Sequence, residues 1–224
     1  MGKHETFLSN GQKCSGYLTL PARKGAAVVV IQEWWGLVEH IEDVTDRLAA
    51  AGFLAIAPDL YHGEKATSPD AARKLRMEMD VERAGKEITA AGSYLFSRTE
   101  CSSSTYGIVG FCLGGALAQF AATKDPRVAA AVSFYGGFKK VQPEWNSLAG
   151  SLLLIYGEND EGVPAAEGRK LVAELEAAGK DVTIVEYAGA GHAFFNDSRP
   201  EVYDQQASDD AWKRTLDFFT AHLR

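Results

Sequence analysis

The chain has 224 residues, 46% of them hydrophobic, with 23 basic against 30 acidic side chains and a formal net charge of −7. Apolar residues recur along the whole length, which argues against disorder, and an acidic chain without a local basic patch argues against nucleic-acid binding. No stretch approaches the ~18 apolar residues of a bilayer span, the first residues lack a signal-peptide run, and Cys14, Cys101 and Cys112 form neither a disulfide framework nor a CxxC pair, so a cytoplasmic protein with no membrane partner is expected.

Glu5–Ser9 and Lys13–Leu20 read as two strands around Asn10-Gly11, a hairpin turn signal. Ala26–Ile31 (AAVVVI) is a continuous apolar run rich in β-branched residues, the pattern of a strand buried on both faces. After the loop Gln32–Gly36, Ile41, Val44, Leu48 and Ala51 recur at helical spacing and Gly52 ends that helix. Leu54–Ala57 is a further buried strand stopped by Pro58, and Asp59–Pro69 is a polar loop. Asp70–Asp80 and Glu82–Ser97 read as helices, Tyr106–Phe111 as a strand, Leu113–Thr123 as a helix, and Val128–Phe134 and Leu152–Tyr156 as strands. The amphipathic Ala165–Ala178 ends at Gly179, Val182–Tyr187 is a strand, and Ala207–Leu223 closes the chain as a helix. Strands alternating with helices build a mostly parallel sheet with helices on both faces. No linker or internal repeat divides the sequence, so one α/β domain over 1–224 is expected.

Four loops at strand ends carry residues with chemistry. Gly110-Phe111-Cys112-Leu113-Gly114-Gly115 ends an apolar strand and opens a small-residue helix. A nucleophile on such a tight turn needs a strained backbone and small neighbours, because strand and helix approach closely around it. The free amides and positive dipole end of the helix face the sulfur and favour thiolate. A buried, inert cysteine is the competing reading. Gly189-Ala190-Gly191-His192 places a histidine on a glycine-rich loop beyond a core strand, whereas His4, His40, His62 and His222 read as solvated. Gly157–Pro164 carries Glu158, Asp160 and Glu161, and Asp160 falls between the cysteine and the histidine in chain order. Nucleophile, acid, histidine is the order of α/β-hydrolase triads, and open α/β sheets place their sites at this edge. Glu33, directly beyond the first buried strand, is either a surface residue or one that projects into the site.

Assembled, these residues resemble the dienelactone hydrolase, or carboxymethylenebutenolidase, family of the α/β-hydrolase superfamily. The resemblance rests on QEWWG, APDLYHG (Ala57–Gly63), GFCLGG, SFYGG (Ser133–Gly137), YGENDEGVP and GAGHAFFN. It implies an α/β-hydrolase fold with an N-terminal antiparallel hairpin. It implies Cys112 as nucleophile, His192 as general base and acid, and Asp160 as the residue that orients the imidazole. Glu33 would contact the resting thiol and move when substrate arrives. The amides of Trp34 and Leu113 would form the oxyanion hole, with Trp34, Trp35, Tyr135 and Phe194 around the pocket. Family members that cleave dienelactone hold its carboxylate with arginines. Here Ala193 and Asn196 stand where the resemblance expects a serine and one such arginine, and the other aligns with either Arg73 or Arg76.

The chemistry so implied is attack of thiolate on a small ester or lactone, a thioester acyl-enzyme, and hydrolysis by water activated at His192. Sulfur leaves a tetrahedral intermediate more readily than an amine does, so esters rather than peptides are expected. No metal and no cofactor is implied, because the water needs only the imidazole, and a monomer or weak homo-oligomer is expected. The alternatives are a broad carboxylesterase or thioesterase for aliphatic or aryl esters, and a non-catalytic ligand-binding module on the same fold.

Overall fold

A computed structural model describes residues 2–223. Eight strands form one sheet in the order β1-β2-β4-β3-β5-β6-β7-β8. β1 (Lys3–Ser9) and β2 (Gln12–Thr19) make the hairpin, turning at Asn10 and Gly11, both at positive φ. β2 also runs antiparallel to β4 (Leu54–Pro58). β3 (Gly25–Ile31), β5 (Cys101–Phe111), β6 (Val128–Phe134), β7 (Ser151–Gly157) and β8 (Val182–Tyr187) continue the sheet in parallel.

The apolar run of β3 is explained by burial on both sides. Ala27, Val29 and Ile31 join one core, and Val28 and Val30 join the other. The first core is covered by α3 (Val81–Phe96), α4 (Leu113–Ala122) and α5 (Ala165–Ala177), and the second by α1 (Glu39–Ala50) and α6 (Gln205–His222). α2 (Pro69–Glu78) starts at proline after Ser68, whose hydroxyl accepts the Ala71 N–H at 3.3 Å. No helix among the described residues is long and apolar enough to cross a membrane.

Two sequence expectations change. β5 begins at Cys101, five residues before the apolar run that announces it. The added residues form an irregularity against β3 between Gly25 and Ala27, and the Ser103 hydroxyl accepts the Ala27 N–H at 3.0 Å. A hydroxyl stands in for a ladder carbonyl there, which is why the segment reads as polar. His40 is not solvated. It is 5% exposed, its ring packs edge-on to Phe111 and Phe195, and Nδ1 lies 3.2 Å from Asp197. Of the other histidines, His4 is exposed, His62 lies 3.7 Å from the buried Glu87, and His222 lies 3.1 Å from the Ser151 hydroxyl.

Strand order reverses between β3 and β5, since β4 returns to one side of β3 while β5 and all later strands extend from the other. The loops leaving β3 and β5 therefore part at one point of the carboxyl edge, and a crevice opens between them.

Candidate active site

At that point Cys112 sits between β5 and α4 with φ 56° and ψ −114°. Positive φ is costly for a side chain larger than glycine and is held only by its surroundings. Here the Cys112 N–H donates to Phe134 O at 3.0 Å, tying the turn to β6. Glycine is required beside it. A Cβ on Gly110 would fall 2.0 Å from Gly114 O, and one on Gly114 would fall 2.4 Å from Ile31 O. The helix thus starts almost in contact with the ends of β3 and β5. Its first amide, Leu113 N–H, has no intrahelical acceptor.

His192 follows β8 on a turn and is brought to Asp160 on the loop after β7. The distance from His192 Nδ1 to Asp160 Oδ2 is 2.6 Å. Asp160 is 3% exposed, and its other oxygen accepts the N–H groups of Gly162 at 2.9 Å and Val163 at 2.8 Å. Three hydrogen bonds therefore fix the carboxylate, and the carboxylate fixes the tautomer and plane of the imidazole. Burial disfavours the imidazolium, but the Asp160 hydrogen bond and the neighbouring Cys112 sulfur outweigh it, and the His192 pKa is pushed up to about 10. Glu158 and Glu161, the other two acids of the loop, are exposed.

Cys112 and His192 line one cavity of about 220 Å³, together with Glu33, Trp34, Trp35 and Arg76. Glu33 is not a surface residue. It is 1% exposed, Oε2 accepts from Asn196 Nδ2 at 2.8 Å, and Oε1 has no partner among the described residues. Tyr135 lies under the imidazole, ring centroids 5.0 Å apart, with φ 39° and complete burial. Its hydroxyl has no partner among the described residues, and burial, reinforced by the acidic groups Glu33, Cys112 and Asp160, holds its pKa well above the usual phenol value. Phe194 does not line the cavity but packs beneath it against Phe134, Tyr135 and Tyr187.

The two α2 arginines differ in position. Arg73 is exposed and pairs with Asp70. Arg76 faces the cavity, its guanidinium between the rings of Trp34 at 5.6 Å and Phe138 at 5.2 Å. No carboxylate among the described residues lies within ion-pair reach of it, and its Nε is buried without a partner. Nothing in the sequence pattern points to Arg199, which also lines the cavity, stacked at 5.8 Å on Trp35 and paired with Glu201. Tyr61, from the APDLYHG segment, is a further buried phenol without a partner among the described residues. Burial, and then the charge of Cys112, raises its pKa. The turn that carries His192 is anchored from behind, where Asp197 receives His40 and Arg47 of α1.

The sequence profile of the dienelactone hydrolase family matches residues 14–223. The chain belongs to the dienelactone hydrolase family. It is 36% identical over 230 residues to the protein usf of Aquifex pyrophilus, with all of both chains covered. It is also 36% identical over 232 residues to an Aquifex aeolicus protein provisionally named carboxymethylenebutenolidase, again with complete coverage. Among solved structures, a provisionally named dienelactone hydrolase of Klebsiella pneumoniae superposes with a TM-score of 0.88 at 30% identity, covering 98% of each chain. The sheet with its antiparallel hairpin and six helices is thus the α/β-hydrolase fold of a dienelactone hydrolase family member. Within that family the chain is an enzyme, a hydrolase of the ester and lactone class.

Proposed function

We propose that this dienelactone hydrolase family member is one domain over 1–224 that cleaves small activated esters or lactones that carry an anionic group, through Cys112, His192 and Asp160 acting together. The observation that carries the reading is the 2.6 Å bond between His192 and the buried Asp160, in one cavity with a cysteine held at positive φ on a helix N-terminus. Cys112 and His192 share one proton, and it rests on His192 Nε2 when the sulfur adds to the carbonyl carbon. The carbonyl electrons move to oxygen, and the oxyanion is met by the amides of Trp34 and Leu113. Each such donor is worth ~10²–10³ in rate. The C–O bond then breaks, the leaving oxygen takes the proton from His192, and a thioester remains. Water gives a proton to His192 and its oxygen to the acyl carbon, and the acid departs as sulfur is restored. Glu33 is the acceptor available to the resting thiol.

Arg76 supports the anionic preference. A guanidinium without a carboxylate partner, held between two rings, is preorganised for a planar anion. Arg76→Gln is expected to raise KM for a carboxylate-bearing ester by about 10–100-fold, the loss of one charged hydrogen bond, and to leave a neutral ester within about twofold. Equal loss on both esters would remove the anion from the reading. Cys112→Ala should abolish turnover of p-nitrophenyl acetate, and the wild-type enzyme quenched during turnover should show one acyl group on the Cys112 peptide. Activity close to wild type in the alanine variant would reject the nucleophile.

A further inference from the structure

Asn196 stands where the resemblance leads one to expect an arginine, yet its side chain is 2% exposed and is directed into the protein. Its Oδ1 accepts the Ser198 N–H at 3.1 Å and the Ser198 hydroxyl at 2.6 Å. A backbone N–H can only donate, so this pair of bonds fixes which end of the amide is oxygen. Nδ2 must then be the group that faces Glu33 Oε2, at 2.8 Å. The Asn196 N–H donates to Ala193 O at 2.9 Å, which closes the turn that presents His192. One turn therefore carries both the imidazole and the amide that grips the glutamate.

We propose that Asn196 is the positioning residue of Glu33. It holds Oε2 against the turn and leaves Oε1, which has no other partner among the described residues, as the one acceptor offered to the cavity that Cys112 lines. An arginine here would bring a positive charge as well as a donor. The amide supplies the donor alone, without a positive charge against Glu33, and the cavity's cationic groups are Arg76 and Arg199 instead. The proposal rests on Cys112 being the nucleophile, and the two are tested separately.

The test compares Asn196→Leu, Glu33→Gln and the double variant, reading kcat/KM for p-nitrophenyl acetate across pH and the alkylation rate of Cys112 by iodoacetamide, followed on its own peptide. Losing a hydrogen bond to an ionised group corresponds to about a 10–100-fold change. Asn196→Leu and Glu33→Gln are each expected to change kcat/KM by a factor in that range, with their pH profiles altered alike. The double variant should be no worse than the poorer single, because both remove one interaction. Asn196→Asp keeps the shape and sets two carboxylates in contact, which cannot both ionise cheaply. It should be impaired at neutral pH and recover as pH falls and the pair takes up one proton, restoring a donor to Glu33. A purely structural role for Asn196 would give no such acid rescue. Multiplicative losses in the double variant, or an Asn196→Asp profile parallel to wild type, would overturn the proposal. Where Asn196→Leu folds poorly, Asn196→Asp and Ser198→Ala carry the decision. An active Cys112→Ala enzyme would sink the nucleophile reading itself. An inactive one with an unaltered Asn196→Asp profile would sink the positioning role alone.

Discussion

Replacing Gly110 by alanine tests whether the elbow geometry, rather than the mere presence of a thiol, makes the site. A Cβ at this position would lie 2.0 Å from Gly114 O, 2.3 Å from Gly114 C and 2.9 Å from Gly115 N. All three are backbone atoms of the first turn of α4, so no side chain can swing aside. A carbon–oxygen contact tolerates about 3.3 Å, and the helix end must retreat by more than about 1 Å. Overpacking of a dense interior costs about 1–3 kcal/mol, and more where backbone must move. A displacement of about 1 Å in a catalytic group costs about 10²-fold in rate. Gly110→Ala is therefore expected to lose at least about 2 kcal/mol in urea unfolding, and about 10²-fold in kcat for p-nitrophenyl acetate in the folded fraction. Gly162 provides the contrast beside Asp160. A Cβ there meets only Asp160 Oδ1, at 3.4 Å, an ordinary contact, and Gly162→Ala should stay within about 0.5 kcal/mol of wild type. A Gly110→Ala enzyme with near-native stability and turnover would refute the account of the elbow.

Two further outcomes follow from the titrating and unpaired groups. Since the pKa of His192 is raised to about 10, the stability that it contributes is complete below its ordinary value near 6.5 and is lost as pH rises through about 10. Asp160→Asn removes the main group that raises it, so the alkaline limb of kcat/KM should move to lower pH and the fall in stability at high pH should flatten. An unmoved limb would assign the effect to another group. Tyr135→Phe deletes a buried hydroxyl that has no protein partner among the described residues, whose desolvation costs about 1–3 kcal/mol. The variant should unfold at a temperature higher by about 2–4 °C for each kcal/mol recovered, while turnover does not improve. A lower melting temperature would show that the hydroxyl is satisfied.

The order of elements was readable because most of them bury a face of fixed period. The AAVVVI run of β3 and the 3–4 spacing of Ile41, Val44 and Leu48 carry their burial in their pattern. The parts that were not readable are those in which a polar side chain completes the backbone or another polar group. Ser103 bonds into the β3 edge, so the start of β5 looked like a loop. His40 looked like a surface residue at a helix start, because its partner Asp197 lies 157 residues away. The elbow, His192 and Asp160 were legible from their positions beyond strands, which the sheet brings to one edge. Arg199 and the grip of Asn196 on Glu33 depend on how the turn after β8 folds back, and no spacing encodes that.

That turn also separates two kinds of change open to this protein. Its rear anchor on α1, through Asp197, His40 and Arg47, lies outside the cavity, while its front brings His192 and Arg199 to the cavity wall. Arg199 can be exchanged while the anchor goes on setting the height of the imidazole above the sheet. Selectivity can therefore drift among descendants of one ancestor, or be redesigned in the laboratory, through substitution at this cavity-lining position while the sulfur-bearing elbow stays as it is.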